Sequence, residues 1–580
     1  MTRVVRIPVR ELLAVATSLF WGMGVIGCSL PGSAPRRTTG PNIILITVES
    51  LRVDRVGCYT GDESSLTPSI DLLAERGTRF ERAYTASPST VPAVASLMTG
   101  LNPRGHGLHD DIGGRIREGV PTVASVLKEA GYRTGAVIAT TLLDSDRGLD
   151  RGFDLYDDTF RAPSHVGPVK AVERPAEEGL QIALEFLDAK EEDRPFFLWL
   201  DFHDPHYDHV APIESEGSDD PYAAEVAHVD TQIGALHEAL DARGLLGQTY
   251  IALVGTHGEG LEDQGEIGHG IYLHETTIRV PFLIAPPVTP ESVTPVDGEA
   301  KEEQADRLVA ASEESGEPVP GRIIDRVVGL IDLAPTLLHL AGERLPGELD
   351  GHSLHDLIES DREPHGDDRN ADDPVPGGES RRYFIEAMQP HAAYGWSPLF
   401  AVVEGERKVV VGPRLEAFDL EADAAGIKAL AEPPGWADGL ARWGRERLGP
   451  AEEERPDRRA LQAAVEGLSL PWGNSPICLE KIDFPDPRDF VSLNGPLFRA
   501  TTLYDQGLRG QAWPLMEEIL KEDASNYRAL LISIQSARAS WMLDREEERM
   551  QVLQCNYPFR DEPYHTLAHG LINTGDLEQA

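Results

Sequence analysis

Two polar segments of the chain carry side chains that could attack or bind an ester. Glu49 and Ser50 directly follow the apolar run at 43–48. Thr90 opens the stretch TVPAVASLMTG, in which a proline fits the first turn of a helix and a glycine fits its end. A hydroxyl at a helix N-terminus faces unpaired N–H groups and the positive end of the helix dipole, which favours a bound anion such as sulfate or phosphate. The alternative is that Thr90 is only the N-cap of that helix.

The elements around these residues predict where they meet. The run at 43–48 is rich in leucine and β-branched residues, which predicts a buried, parallel strand. The run PFFLWLDF predicts a second buried strand, which delivers His203 and His206 to the same edge as Glu49. In open α/β sheets, ligands bind beyond the carboxyl ends of the strands. The pattern therefore predicts an α/β domain with its polar site at that edge.

Two long segments of the sequence carry a resemblance to a known family. TPSIDLLAERGTRFERAYTASPSTVPAVASLMTGLNPRGHG and TYIALVGTHGEGLEDQGEIGHGIYLHETTIRVPFLI resemble the sulfatase family of the alkaline-phosphatase superfamily. The resemblance implies a central, mostly parallel sheet flanked by helices, a small C-terminal antiparallel sheet, and hydrolysis of sulfate or phosphate esters. A helical, tetratricopeptide-like segment then follows at the C-terminus.

The position of the nucleophile departs from the family pattern. Relatives have Cys or Ser followed by x-Pro-Ser-Arg, and they mature the first residue to formylglycine. This chain has Thr90 at that position, with Ala93 and Val94 in place of the Ser and Arg. Threonine cannot become formylglycine, but it is the nucleophile in some phosphodiesterase and phosphotransferase relatives. Attack by the Thr90 hydroxyl therefore remains open.

The implied metal site is altered as well. Relatives begin it with Asp where this chain has Glu49, and they have Asp where this chain has Thr256. One carboxylate suits a hard cation poorly, whereas a zinc-like ion would accept Glu49, His257 and a further nitrogen such as His269. The cofactor expected is a divalent cation: Ca, Mg, Mn or Zn. The ligands that the resemblance implies are Glu49, Ser50, Thr90, Thr256 and His257.

The resemblance also implies histidines beside the ester. Relatives place a histidine of the Asp-Pro-His region against the ester oxygen, where it acts as an acid or hydrogen-bond donor. His206 is the first candidate here and His203 the second, and His269 matches another histidine beside the site. Lys408 matches a position that could form part of the substrate rim, with a role in the core as the alternative. The predicted catalytic residues are Thr90, His206 and His269.

The composition and the N-terminus limit where the protein can act. A net charge of −44 argues against nucleic acid as a partner. Basic residues followed by an apolar stretch predict a signal peptide at 1–27, and VIGC resembles a lipobox that would lipidate Cys28. An uncleaved membrane anchor is the alternative. Both place the body outside the cytoplasm, in the bacterial periplasm or at the outer membrane.

The rest of the chain divides by composition and period. Gly507 and Gly575 lie 68 residues apart, twice the period of about 34 that is typical of tetratricopeptide repeats. Such repeats would offer a protein-binding surface, unless the helices only pack on the catalytic domain. After a linker at 28–40, the predicted units are the α/β domain at 41–360 with an acidic insertion at 286–320, an acidic linker at 361–382, a small β subdomain at 383–425, a connector at 426–495 and the repeats at 496–580.

Two functions are consistent with these residues. The first is a metal-assisted hydrolase of small anionic esters in which Thr90 attacks sulfur or phosphorus. The second is a catalytically degenerate relative that acts as an anchored binding or scaffold protein through its helical repeats. The retained hydroxyl, the acid at position 49 and the histidines favour the first. The losses at Ala93, Val94 and Thr256 favour the second.

Overall fold

The structure is a computed structural model. It describes residues 40–61, 66–111, 113–160, 173–189, 194–207, 220–288, 321–359, 381–448 and 484–539, and part of 548–557. The predicted signal peptide, Cys28, nearly all of the acidic insertion and most of the linker at 361–382 lie outside these residues. Among the helices of the described part, none combines the length and the apolar character needed to cross a bilayer.

A central sheet of nine strands, counted within the described residues, organises the main domain. Its spatial order is β11-β2-β10-β6-β1-β5-β3-β4, and β9 pairs with β2. Most neighbours are parallel, whereas β10 runs antiparallel to both β2 and β6. The strands are β1 (Asn42–Val48), β2 (Thr78–Tyr84), β3 (Arg133–Val137), β4 (Leu155–Asp157), β5 (Phe196–Phe202), β6 (Thr249–Gly255), β9 (Arg279–Val280), β10 (Phe282–Ala285) and β11 (Arg322–Gly329).

Both faces of β1 are buried, which explains its continuous apolar run. Ile43 and Leu45 pack into the hydrophobic cluster on one face, and Ile44 and Ile46 pack into the cluster on the other. A strand covered on both sides has no solvent-facing positions for polar residues. The predicted buried, parallel strand is confirmed, since β1 pairs in parallel with both β5 and β6.

Helices cover the two faces of the sheet, and others follow the main domain. The clusters place α3, α5 and α9 on one face and α2, α6 and α7 on the other. The helices are α1 (Gly57–Thr60), α2 (Pro68–Arg76), α3 (Thr90–Thr99), α4 (Pro103–His106), α5 (Val123–Ala130), α6 (Ala176–Asp188), α7 (Pro221–Ala242), α8 (Glu275–Ile278), α9 (Leu333–Leu340), α10 (His355–Glu359), α11 (Gly435–Leu448), α12 (Val491–Asp505), α13 (Arg509–Glu522) and α14 (Tyr527–Ala539).

A small antiparallel sheet and the C-terminal helices complete the molecule. The sheet runs in the order β12-β13-β14-β15, and α11, from the predicted connector, packs on one of its faces. A two-stranded ribbon of β7 (Gly260–Leu261) and β8 (Ile267–Gly268) stands beside the main sheet. The predicted order of main sheet, small sheet and helices is confirmed, whereas the repeat class of α12–α14 stays a prediction. The small sheet consists of β12 (Tyr383–Ala387), β13 (Leu399–Glu404), β14 (Arg407–Val411) and β15 (Leu415–Asp419).

Candidate active site

The predicted site residues meet at the carboxyl ends of the three central strands. Glu49 follows β1, His203 and His206 follow β5, and His257 follows β6. These strands are adjacent in the order β6-β1-β5, so their ends bring together side chains that lie far apart in the sequence. Helix α3 begins beside them with Thr90, and β8 leads into His269.

Thr90 does not cap its helix. It is the first helical residue, and the N-cap position belongs to Ser89, whose side chain makes no capping hydrogen bond. The Thr90 hydroxyl is fully buried and lies 3.0 Å from Glu49 Oε2 and 3.0 Å from His257 Nε2. Both neighbours can accept the hydroxyl proton. The interpretation of Thr90 as an N-cap is therefore wrong, because its side chain turns into the site.

His257 is held in the tautomer that suits a base. Its Nδ1 lies 2.9 Å from the carbonyl oxygen of Gly258, and a carbonyl can only accept a hydrogen bond. Nδ1 therefore carries the proton, and the lone pair of Nε2 points at the Thr90 hydroxyl. Burial, with a contribution from nearby His269, lowers the pKa of His257 well below its ordinary value, so the ring is neutral.

His203 braces Glu49 rather than the ester. Its Nδ1 lies 3.1 Å from Glu49 Oε2, and its Nε2 lies 3.5 Å from a carboxylate oxygen of Glu173. Burial opposes a charge on His203, but the two carboxylates outweigh it and raise the pKa of the imidazole well above its ordinary value. His203 thus donates to Glu49 and fixes the carboxylate that contacts Thr90. The sequence ranked it second to His206, and Glu173 carried no signal at all.

His206 and His269 form a pair at the half-exposed side of the site. Their Nε2 atoms lie 2.9 Å apart. The Nδ1 of His206 lies 2.6 Å from the carbonyl oxygen of Tyr207, and that of His269 lies 2.8 Å from the carbonyl oxygen of Pro88. Each Nδ1 therefore carries a proton, and two bare Nε2 lone pairs would repel each other at this distance. A proton or a cation between the two nitrogens would relieve this repulsion. Burial and the neighbouring histidines lower the pKa of His206 well below its ordinary value, which opposes a resident proton.

Asp111 is a further residue of the site, and the sequence did not predict it. Its Oδ1 accepts a 2.8 Å hydrogen bond from the backbone N–H of Val91, in the first turn of α3. Burial raises the pKa of this half-buried carboxyl to about 6, opposed by the nearby His269 and by the Val91 hydrogen bond. The helix end that the sequence predicts to favour a bound anion thus already contacts an acidic side chain. Asp111 follows His109 and Asp110 in a loop that matches no motif.

Three buried oxygen atoms fit a metal ion. Glu49 Oε1, Ser50 Oγ and Thr256 Oγ1 have no hydrogen-bond partner within the described residues, and each belongs to the ligand set that the family resemblance implies. Ser50 also adopts a left-handed backbone with φ 56°, which costs about 1–2 kcal/mol for a residue other than glycine. Glu49, His203 and His206 each offer a ligand atom within 4.8 Å of the others. The site thus has the donors for a divalent ion.

Lys408 and two aspartates belong to the framework. Lys408 is 1% exposed and donates to Glu275 Oε1 at 2.7 Å and to a backbone carbonyl at 3.1 Å. Lys408 lies in the interior, so the prediction that it forms part of the substrate rim is wrong and the alternative, a role in the core, is correct. Asp230 accepts backbone N–H bonds at the start of α2. Asp332 accepts bonds from Gly329 N–H and the Tyr383 hydroxyl beside α9.

Comparison with known proteins identifies the family. The sulfatase family model matches residues 41–343, more than half of the chain and nearly the whole of the domain that holds the site. The chain belongs to the sulfatase family. This confirms the predicted family and the predicted enzyme class, a hydrolase of sulfuric or phosphoric-type esters. Sulfatases generally use a divalent metal ion, in keeping with the unpartnered oxygen atoms around Glu49.

Individual sulfatases and related structures extend this similarity. The chain is 26% identical over 404 residues to an arylsulfatase of Clostridium perfringens, covering 55% of this chain and 78% of that protein. It is 25% identical to a choline-sulfatase of Rhizobium meliloti, covering 76% and 94%. The structure of a phosphonate monoester hydrolase of Agrobacterium radiobacter superposes with a TM-score of 0.51 at 17% identity, over 70% of this chain and 95% of that one. This last likeness concerns the fold.

Proposed function

We propose that this sulfatase-family chain hydrolyses small anionic esters with the Thr90 hydroxyl as nucleophile. The observation that carries the proposal is the pair of 3.0 Å contacts from Thr90 Oγ1 to Glu49 Oε2 and His257 Nε2. A hydroxyl is a weak nucleophile until a base removes its proton. His257 is neutral with its Nε2 lone pair on Thr90, so it can take that proton as the oxygen attacks. A bond then forms from Thr90 Oγ1 to sulfur or phosphorus.

The histidine pair supplies the acid for the same step. As the ester bond breaks, the leaving oxygen needs a proton, and the pair of His206 and His269 on the half-exposed side of the site would supply one that it has taken up from solvent. Burial and the neighbouring histidines lower the pKa of His206 well below its ordinary value, so a proton taken up there would be given away readily. Donation of that proton releases the alcohol and leaves Thr90 esterified. Water then attacks the sulfur or phosphorus and gives a proton to the histidine pair, while the base returns the Thr90 proton to its oxygen as the bond from that oxygen to sulfur or phosphorus breaks. General acid and base groups of this kind contribute about 10²–10⁴-fold each to rates.

A divalent ion would be held by the oxygen atoms of Glu49, Ser50 and Thr256 and by Nε2 of His257. With that nitrogen on the ion, Glu49 Oε2, the other neighbour of Thr90 at 3.0 Å, would accept the Thr90 proton in place of His257. This mixed set of one carboxylate, hydroxyls and imidazole suits zinc better than calcium. When bound, such an ion would neutralise negative charge on the ester and on the attacking oxygen. The Thr90 hydroxyl lies against two of these residues and completes the predicted set.

The relatives and the N-terminus suggest the substrate and the location. The similar proteins named arylsulfatase and choline-sulfatase make sulfate monoesters the first class to test, and threonine in place of formylglycine adds phosphate mono- and diesters. Lipidation at Cys28 would hold the enzyme on a membrane outside the cytoplasm. Capture of a partner protein by the C-terminal helices remains an additional proposal.

A binding protein without turnover is the second candidate, and Asp111 favours it. Its carboxylate contacts the Val91 N–H, where the negative oxygens of an ester would otherwise bind. A site closed in this way would hold a ligand of another charge, or none, and the chain would serve as an anchored scaffold.

Isosteric replacement of Thr90 separates the two candidates. The purified chain is assayed with nitrophenyl sulfate, phosphate and phosphodiesters, each with added Mg, Ca, Mn or Zn. Thr90→Val keeps the shape but removes the hydroxyl, and it should lower kcat/KM by about a thousandfold or more, whereas Thr90→Ser should retain turnover. Thr99→Val is the matched control, because the Thr99 hydroxyl donates to a carbonyl of its own helix. Wild-type turnover no higher than that of Thr90→Val, with every metal, would overturn the hydrolase and favour the binding protein instead.

A further inference from the structure

Helix α12 lies against both segments that carry the histidine pair. Asn494 Oδ1 accepts a 2.7 Å hydrogen bond from the backbone N–H of Ile267, and Asn494 is 2% exposed. The ring of Phe498 meets the ring of Tyr207 edge to face, with centroids 4.2 Å apart. One helix, about 225 to 290 residues later in the sequence, thus touches the segment after β5 and the ribbon of β7 and β8.

Each of these two contacts involves a residue that lies within two positions of a histidine of the pair. Tyr207 is the next residue after His206, and its carbonyl oxygen accepts the Nδ1 proton of His206 at 2.6 Å. Ile267 lies two residues before His269, and Gly268 between them turns the chain with φ 75°. A shift of either segment would therefore change the 2.9 Å separation of the two Nε2 atoms.

The helix is fixed to the catalytic domain over a broad surface. Leu493 and Leu497 share one hydrophobic cluster with Ile271 and Tyr272, the residues that follow His269. The Tyr272 hydroxyl donates to the backbone carbonyl of Pro487 at 3.2 Å, just before the helix. A Cβ added at Gly265 would lie 2.5 Å from Val491 Cγ1, so the ribbon and the helix are in close contact.

Trp396 ties the same helical segment to the small sheet. Its ring stacks on Phe490 with centroids 5.2 Å apart, and its Nε1 donates to Asp523 at 2.8 Å. Aromatic stacking and a buried hydrogen bond of this kind stabilise permanent contacts within the chain. The residue before α12 and the residue after α13 are therefore both fixed to the segment between β12 and β13.

We propose that α12 is a wall of the active site, and that Asn494 and Phe498 are positioning residues for His206 and His269, whose Nε2 atoms lie 2.9 Å apart. The kinetic consequence rests on the hydrolase function proposed above. The C-terminal helices would then set how well the enzyme protonates a poor leaving group, a role distinct from the capture of another protein.

Two side-chain truncations, each compared with a control variant, test this proposal in the full-length chain. Asn494→Ala and Phe498→Ala each remove one contact, whereas Phe498→Tyr keeps the ring. Met516→Ala truncates a fully buried side chain of α13 and controls for a general loss of stability. The first measurement is backbone hydrogen exchange over 203–207 and 265–271. The second compares kcat and KM for phenyl and 4-nitrophenyl esters, whose leaving groups differ in their need for a proton.

The expected result is local and selective. Asn494→Ala should speed exchange over 265–271 and Phe498→Ala over 203–207. Each should lower kcat for the phenyl ester by about tenfold or more, with a smaller effect on the nitrophenyl ester and on KM. Phe498→Tyr should behave as the wild type, and Met516→Ala should affect both esters alike.

Two results would overturn the proposal: unchanged exchange in both segments, or an equal loss of kcat for both esters. The exchange measurement needs no turnover, so it decides whether α12 holds the two segments even if the wild type hydrolyses neither ester. In that event the hydrolase function is refuted, and hydrogen exchange alone decides whether Asn494 and Phe498 hold the two histidine segments in place.

Discussion

Replacing Asp111 with asparagine should let the site bind an inorganic anion more tightly. The carboxylate accepts the Val91 N–H in the first turn of α3, where the helix dipole and the unpaired donors favour negative charge. Asparagine keeps an oxygen acceptor of the same shape, so the helix end remains capped. What changes is the charge, which disappears from a position beside the proposed ester site.

The size of the effect follows from the distance. An anion bound at the same helix end would lie about 4 Å from the Asp111 oxygen, where two unit charges repel by about 4 kcal/mol at an effective dielectric constant near 20. Screening on the half-exposed side reduces this value, and a tenfold gain in affinity needs only about 1.4 kcal/mol. We expect Asp111→Asn to tighten the Kd of sulfate by about tenfold to a thousandfold above the pKa of Asp111.

The pKa of Asp111 supplies the pH dependence. Burial raises this pKa to about 6, so the carboxylate is charged above that pH and increasingly neutral below it. Binding of sulfate to the wild type should therefore strengthen as the pH falls through about 6. Protonation of the histidines would add a similar slope to both proteins, and the difference between the two isolates Asp111.

Calorimetric titration with sulfate, which stays a dianion throughout, measures this difference on either side of that pKa. Asp110→Asn is the matched control, because it removes the same charge one residue away. The reasoning would be refuted if Asp111→Asn bound sulfate no more tightly than the wild type at alkaline pH. It would also fail if Asp110→Asn gave the same gain, since the effect would then reflect net charge.

Two further predictions concern stability. Lys408→Ala should destabilise the fold by about 3–5 kcal/mol, because it leaves Glu275 charged and buried, while KM stays unchanged. Thermal unfolding and a Michaelis curve test it, and a raised KM at unaltered stability would return Lys408 to the substrate rim. Burial raises the pKa of Glu266 from 4.5 to about 8, so its contribution to stability is full below 4.5 and is lost as the pH rises through about 8. Glu266→Gln should therefore lose less stability than the wild type over that interval, and parallel unfolding curves would contradict this.

The sequence alone was enough to predict the fold of the main domain, because a strand that is buried on both faces is recognisable from its apolar run. The run at 43–48 is apolar except for the buried Thr47, because both faces of β1 are covered, and the strand order then brings Glu49, His203 and His257 to one edge. The nucleophile position was readable from the family pattern that surrounds Thr90. The sequence did not reveal that the Thr90 side chain points into the site, because the N-cap and the first helical residue differ by a single position.

Tertiary placement decided the features that the sequence missed. Asp111 reaches the Val91 N–H through a loop, and nothing local marks an aspartate that will turn towards a helix end 20 residues back. The Asp-Pro-His segment identified two histidines, but the packing of β5 against β1 decides that His203 faces Glu49 while His206 faces His269. Tautomers depend in turn on which backbone carbonyl each ring nitrogen meets.

The position of β1 also has a consequence for biosynthesis. Its two neighbours in the sheet come from far along the chain: Asn42 bonds to Phe196 at a separation of 154 residues and to Thr249 at a separation of 207. A ribosome therefore releases the segment NIILITV long before either neighbour exists. Six of its seven residues are apolar or β-branched, and such a strand with both edges open is prone to pair with other molecules, while the long-range closure that would protect it is slow. The strand that ends at the active site is thus a segment of the nascent chain that a chaperone would need to protect.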